Sequence, residues 1–265
     1  MTQGASVLFL SHGGGPMPLL GDPGHTEMVA CLQEIAGQLP RPEAIVVVSA
    51  HWEEAVASVT TSAKPDLIYD YYGFPDAAYS VTYPCPGEPT LAAEVLAALQ
   101  QQGIEARADD TRGLDHGLFV PLKLMYPQAD IPCIQLSLLN SLDPESHLRL
   151  GEALKPLADK NVLVIGSGFS FHNMRAFFGM RTAEAESLNR QFEDWLQETC
   201  TADMPESERR QRLADWALAP GAGFCHPREE HLMPLHVCYG LAGKACTQSF
   251  RLEIVERHAS MYLWR

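Results

Sequence analysis

No two of the seven cysteines (31, 85, 133, 200, 225, 238 and 246) form a Cys-x-x-Cys pair, and an odd number cannot close into a full disulfide set. That argues against a cysteine zinc knuckle or a disulfide-stapled scaffold, and for free thiols in a reducing compartment. No apolar run approaches the ~18 residues that a membrane-spanning helix needs. Positive charge is scarce as well: 19 Lys+Arg stand against 33 Asp+Glu, a formal net charge of -14. Nucleic acids and anionic membranes are bound through basic footprints, so neither is an expected partner. The opening MTQGASVLFLSHGGGPM has no basic flank and an apolar stretch of only about six residues, so it reads as a strand and not as a secretory signal. A cytoplasmic protein is expected.

The 265 residues are 46% hydrophobic and 20% charged, an ordinary globular balance. A domain of this size withdraws roughly 75% of its extended-chain surface from water, enough for a large core. Short β-branched runs alternate with longer stretches of helical periodicity. Buried strands are expected at Ser6–Leu10, Ala44–Ser49, Ile131–Leu138, Asn161–Gly166 and Phe250–Val255. Val56–Thr61 alternates and reads as an edge strand. Helices are expected over 28–39, 91–99, 118–126, 144–159, 184–200, 206–217 and 229–242. Runs such as IVVVSA and VLVIGS are apolar on both faces, as a strand covered on both sides must be. There is no repeat, low-complexity tract or linker. The expected fold is a single α/β domain over 1–265, with a mostly buried central sheet flanked by helices on both faces.

Residues 68–89 stand apart, with five tyrosines, one phenylalanine and four prolines among them. Prolines at this density exclude a regular helix or a central strand. The segment is either a surface crossover whose rings cover the core or an aromatic rim over a pocket. On the second reading Tyr72 and Phe74 are expected to meet substrate.

The histidines carry the chemistry. In open α/β sheets ligands bind beyond the carboxyl ends of strands. His12 follows VLFLS, His51 follows IVVVSA and His172 follows VLVIGSGFSF, so three core strands end at or near a histidine. Imidazoles converging on one point suit Zn²⁺ or Fe²⁺. The GGGP after His12 is no phosphate loop, since it has neither the lysine nor the glycine spacing of one. Asp115-His116 precede an apolar helix, Asp115 as its cap and His116 towards a pocket. HPREEHLMPLH sets His226 in a loop, His231 on the helix side shared with Leu235, and His236 on a helix face without a special role. His25, His147 and His258 sit among polar residues and read as surface positions. There is no His-Glu-x-x-His, which argues against a thermolysin-type protease.

Six stretches in order, FLSHGGGPM, VVVSAHWE, YDYYGFPDAAY with YPCPGEP, GLDHGLFVPLKLMYPQADIPCIQLSL, VLVIGSGFSFHNMR and HPREEHLMPL, resemble the class III extradiol ring-cleaving dioxygenases, in particular their DOPA 4,5-dioxygenase-like branch. The resemblance spans about residues 6–260. It implies that His12, His51 and His231 hold one divalent metal. It implies His172 as the acid/base group, sometimes counted as a fourth ligand, and His116 as a substrate contact and the next candidate for moving a proton. GGGP departs from the GSP of many relatives but leaves His12 in place. Other class III enzymes use two histidines and a glutamate where this branch uses three histidines.

The implied substrates are O₂ and a small aromatic diol, the implied metal Fe(II), with Zn(II) able to take the same nitrogens in purified protein. The product is a ring-opened semialdehyde, and the chain is expected to be a monomer or small homo-oligomer. A zinc-dependent hydrolase or amidase using the same histidines is the alternative. A metal-binding protein without activity is a third reading, which the presence of His172 disfavours.

Overall fold

The computed structural model describes residues 4–265. Eight strands form one sheet: β1 Ser6–Ser11, β2 Ala44–Glu54, β3 Ala57–Thr60, β4 Ala106–Asp109, β5 Cys133–Leu139, β6 Val162–Gly168, β7 Gln248–Ile254 and β8 Arg257–Trp264. The helices are α1 Thr26–Gln38, α2 Pro89–Gln101, α3 His116–Met125, α4 Pro144–Ala153, α5 Met174–Phe178, α6 Ala183–Thr201, α7 Glu206–Ala214, α8 Ala222–Cys225 and α9 Met233–Ala242. The strand order is β4-β3-β5-β2-β6-β1-β8-β7. β5, β2, β6 and β1 are mutually parallel, and β8 runs antiparallel to β1.

Alternate residues of the parallel strands feed two cores, one on each face. Val7, Phe9, Val46, Val48, Val162 and Val164 pack with α2, α4, α6 and α9. Leu8, Leu10, Ile45, Val47, Leu163 and Ile165 pack with α1, α3 and the rings of the aromatic segment. A strand buried on both faces reads as a continuous apolar run, which is why β1, β2 and β6 are evident in the sequence. The chain is therefore a single α/β domain with its sheet between two helical layers. Because β6 lies between β1 and β2, three parallel strands end side by side along one edge, where such folds bind ligands.

Several expectations need correction. The 57–60 strand is not an edge: it sits between β4 and β5. Its polar residues are internal, with Ser137 Oγ accepting from Ser58 N at 2.9 Å and Thr60 Oγ1 accepting from Gln135 N at 2.8 Å. Conversely the 250–255 strand is not central; β7 forms the opposite edge and is largely half-buried. The buried strand there is β8, which was not anticipated, nor was the short, polar β4. The helix expected over 144–159 stops at Ala153, since Pro156 lies in the short 3₁₀ turn that follows. The helix expected from 229 starts only at Met233, with Pro234 in its first turn. Among the described residues no helix is long and apolar enough to cross a membrane.

Candidate metal centre

Each histidine reaches the sheet edge for a local reason. His12 leaves β1 with its N–H donating to Gly168 O at 2.9 Å. His51 lies where pairing of β2 with β5 jumps from Ser49 to Glu53, an irregularity of the kind that re-aims a side chain. His231 stands in the turn before α9, its carbonyl accepting from Phe169 N at 3.0 Å. That approach needs Gly168, because a Cβ there would collide with the His231 carbonyl. His172 donates its N–H to Cys225 O at 2.9 Å, and His116 opens α3.

The rings meet. Centroids of His12, His51 and His231 lie 4.8 Å (His12–His51), 5.2 Å (His12–His231) and 5.0 Å (His51–His231) apart. His12 Nε2 and His51 Nε2 are 3.0 Å apart. His116 packs 3.9 Å from His51 and 5.5 Å from His12, and His172 stacks on His231 at 3.4 Å. Donor atoms of His12, His51 and His116 fall within 4.8 Å of one another, as do those of His172, Glu230 and His231.

Four of the five rings have their Nδ1 committed outward. His12 Nδ1 is 3.1 Å from Ser167 Oγ, whose own proton goes to Gly117 O, so the ring nitrogen is the donor. Glu230 Oε1 accepts from His231 Nδ1 at 2.9 Å and from His172 Nδ1 at 3.1 Å. Asp70 Oδ1 accepts from His116 Nδ1 at 2.8 Å. A neutral imidazole with Nδ1–H engaged keeps a lone pair on Nε2. Burial, reinforced by the neighbouring imidazoles, holds His12 and His51 well below the ordinary histidine range. Burial and His172 push His231 down to about 3. Burial alone would raise Glu230, but its hydrogen bonds from His172 and His231 hold it well below the carboxylate range.

This donor set fits a metal. Neutral imidazole nitrogens suit Fe²⁺ or Zn²⁺ and not the oxygen-seeking Mg²⁺ or Ca²⁺. Two nitrogens sharing an ion at about 2.0–2.1 Å sit roughly 3–3.4 Å apart, the separation of His12 and His51. Arg228 clasps the two sides, donating to Glu53 from both Nη atoms at 2.6 Å and pairing in charge with Glu230, whose Oε2 lies 3.2 Å from Nη1.

Residues 8–263 match the family model described as the catalytic LigB subunit of aromatic ring-opening dioxygenase. The chain belongs to the LigB family. It is 43% identical over 258 residues to a dioxygenase of Hapsidospora irregularis, covering 90% of this chain and 78% of that one. To the 4,5-DOPA dioxygenase extradiol of Beta vulgaris it is 39% identical over 243 residues, covering 90% and 87%. A crystal structure of an uncharacterized Escherichia coli K12 protein superposes with a TM-score of 0.79 at 28% identity, covering 98% of this chain and 99% of that one. The chain is thus a ring-cleaving dioxygenase of the extradiol class, and the LigB family gives the hydrolase alternative no support.

All five sequence-selected histidines gather at this LigB site. Phe74 borders it, 3.4 Å from the position a Cβ on Gly15 would take and 5.5 Å from Tyr71. Tyr72 is not drawn in: it is 92% exposed, while the preceding Tyr71 points inward and meets His116 edge-on at 5.6 Å. Asp115 stands at the N-cap position of α3 but does not cap it. Its side chain accepts from Ser49 Oγ at 2.8 Å and from Arg112 Nη2 at 3.1 Å. His25 and His147 are not surface residues. His25 Nε2 accepts from Gly14 N at 2.9 Å and its Nδ1 donates to Asp22, fixing the loop after His12. His147 Nε2 accepts from Leu139 N, and its Nδ1 donates to Asp143 O. Buried His226 donates from Nε2 to Ser170 O at 2.7 Å, and His236 is buried beneath the carbonyl of Leu213. Asp70, Ser167 and Arg228 escaped the sequence reading, and Glu230, which the sequence offers with Glu229 as an acidic residue for a helix start, instead holds His231 Nδ1.

Proposed function

We propose that this protein opens a catechol-type ring, DOPA or a related diol, with O₂ beside the hydroxyl pair, giving a semialdehyde. His12, His51 and His231 would hold one Fe(II), which Zn(II) can replace in isolated protein. What carries the reading is the mutual approach of those three rings with His172 stacked on the third. The names of the Beta vulgaris and Escherichia coli relatives, both 4,5-DOPA dioxygenase extradiol, support the substrate class.

When bound, a redox-active divalent ion couples a diol to O₂, a pairing that is spin-forbidden for the isolated reactants. The remaining work falls to the chain. His172, with Nδ1–H on Glu230, has Nε2 free to take a proton from a diol hydroxyl and return it later, and the carboxylate steadies the imidazolium between those events. His116 borders the diol from the side of His51. Tyr71 and Phe74 offer aromatic surface to the substrate ring, and the buried position of His12 and His231 keeps water away.

The other three-histidine set, His12, His51 and His116, rests on the proximity of their donor atoms. The Nδ1 bond of His116 to Asp70 leaves its Nε2 as available as that of His231, so the metal content of His116→Ala against His231→Ala separates the two sets. Anaerobic loading with Fe(II), followed by a panel of DOPA, catechol and substituted catechols in air, tests the activity. A yellow semialdehyde band is expected with iron and not with zinc; no band with any vicinal diol would refute the proposal.

A further inference from the structure

Asp70 is separated by 46 positions from His116, yet it ties the aromatic segment to the histidine cluster. Its Oδ1 accepts twice from that one residue, from Nδ1 at 2.8 Å and from the backbone N–H at 3.0 Å. Its Oδ2 faces His51 Nδ1 at 3.8 Å, beyond hydrogen-bond reach. The usual cap position, Asp115, is committed to Ser49 and Arg112, so the first N–H of α3 is served from outside the helix by Asp70. The next residue, Tyr71, sets its ring against His116, and its hydroxyl donates to Ala78 O at 2.7 Å. One carboxylate thereby sets the tautomer and the tilt of the ring that borders the diol.

We infer that Asp70 is a positioning residue: by holding His116 as the Nδ1–H tautomer, it turns Nε2 of His116 into a hydrogen-bond acceptor for a substrate hydroxyl. The inference rests on the proposed role of His116 beside the diol. A neutral imidazole has one donor and one acceptor nitrogen, so fixing the first decides the second. A ring with its proton on Nε2 could only donate to the diol oxygen and could not accept its hydroxyl proton, so the two tautomers would hold the diol differently. The carboxylate accepts only, whereas an amide at position 70 could donate to Nδ1 and invert the ring.

A plain helix-capping role predicts something else, because asparagine caps an N–H as well as aspartate does. Asp70→Asn therefore separates the two. In the ¹⁵N-histidine spectrum of the zinc-loaded protein, His116 is expected as the Nδ1–H tautomer, lost in Asp70→Asn. In the iron-loaded protein, Asp70→Asn should lower kcat/KM by roughly 10–100-fold, the usual scale for groups supporting a site, with metal content unchanged. In a His116→Gln background the same change should matter by less than about twofold, because residues acting through one another are not additive. The inference is overturned if Asp70→Asn leaves the tautomer in place, lowers kcat/KM equally in the His116→Gln background, or loses metal. If the tautomer behaves as expected but the wild type opens no vicinal diol, the functional proposal fails and the Asp70–His116 arrangement stands.

Discussion

At the scale of single residues, the five histidines of the cluster divide by what their Nδ1 atoms hold. His12 is fixed by Ser167, His231 and His172 by one shared carboxylate, and His116 by Asp70. Replacing His12, His51 or His231 by Ala should remove most of the bound metal, whereas His116→Ala should retain it. Metal analysis of the four variants decides the ligand set; loss in His116→Ala with retention in His231→Ala would transfer the third position to His116. His172→Gln keeps a polar side chain of similar reach but cannot accept and return a proton near neutral pH. It should keep its metal while kcat falls roughly 10²–10⁴-fold. The histidines were legible because each closes a strong strand signal or a recognisable motif. Their partners were not: Ser167 is 155 positions from His12, and no local pattern pairs them. His25 and His147 misled for the reverse reason. Their polar neighbours suggested solvent, but those neighbours are the partners that let an imidazole be buried.

At the scale of elements, the strands buried on both faces announced themselves and those that depend on tertiary pairing did not. β8 carries Ser260 and His258 among its apolar residues, and the polar residues of β3 read as solvent-facing by pattern alone, whereas Ser137 and Gln135 of β5 bond to them inside the sheet. The end of β6 shows how an element positions the site. Gly168 lets the His231 carbonyl lie against the strand, and Gly166 does the same for Pro234 at the start of α9. Gly168→Ala should therefore destabilise the protein by about 1–3 kcal/mol, as overpacking does, and should loosen the metal with it. Gly37, in α1, has open space around its Cα. Gly37→Ala should instead stabilise by about 0.5–1 kcal/mol through helix propensity. Denaturant midpoints of the two variants check the contrast, and similar shifts in both would contradict it.

At the scale of the whole molecule, buried titratable groups set how stability responds to acid. Burial lowers His226 to about 3 and His236 to about 4, and His12, His51 and His231 are depressed for the same reason. The unfolded chain takes up protons near the ordinary histidine value while the folded chain refuses them. This stability is complete above about pH 6.5 and is lost as pH falls towards the folded values, by up to about 1.4 kcal/mol per pH unit for each group. Glu193 acts in the opposite sense. Burial raises it to about 7, with Ser170 and Ser260 as partial compensation. Its stabilising effect is present below the ordinary carboxylate value and fades as pH rises through about 7. The histidines outnumber it, so the metal-free protein should lose thermal stability from pH 6.5 to 4.5. Glu193→Gln should be steeper over that range and more stable than wild type at pH 8. Melting temperatures of both proteins across pH decide this, and parallel curves would contradict it.

The central claim is that three imidazoles, two at the ends of parallel strands and one in the turn before α9, hold one metal that lets O₂ open a vicinal diol. It is tested most directly by oxygen uptake in protein loaded anaerobically with Fe(II) and then given DOPA or catechol. The predicted result is one O₂ consumed per ring opened, with one iron per chain, and uptake abolished in His12→Ala, His51→Ala and His231→Ala. Full iron occupancy with no oxygen uptake on any vicinal diol would contradict it.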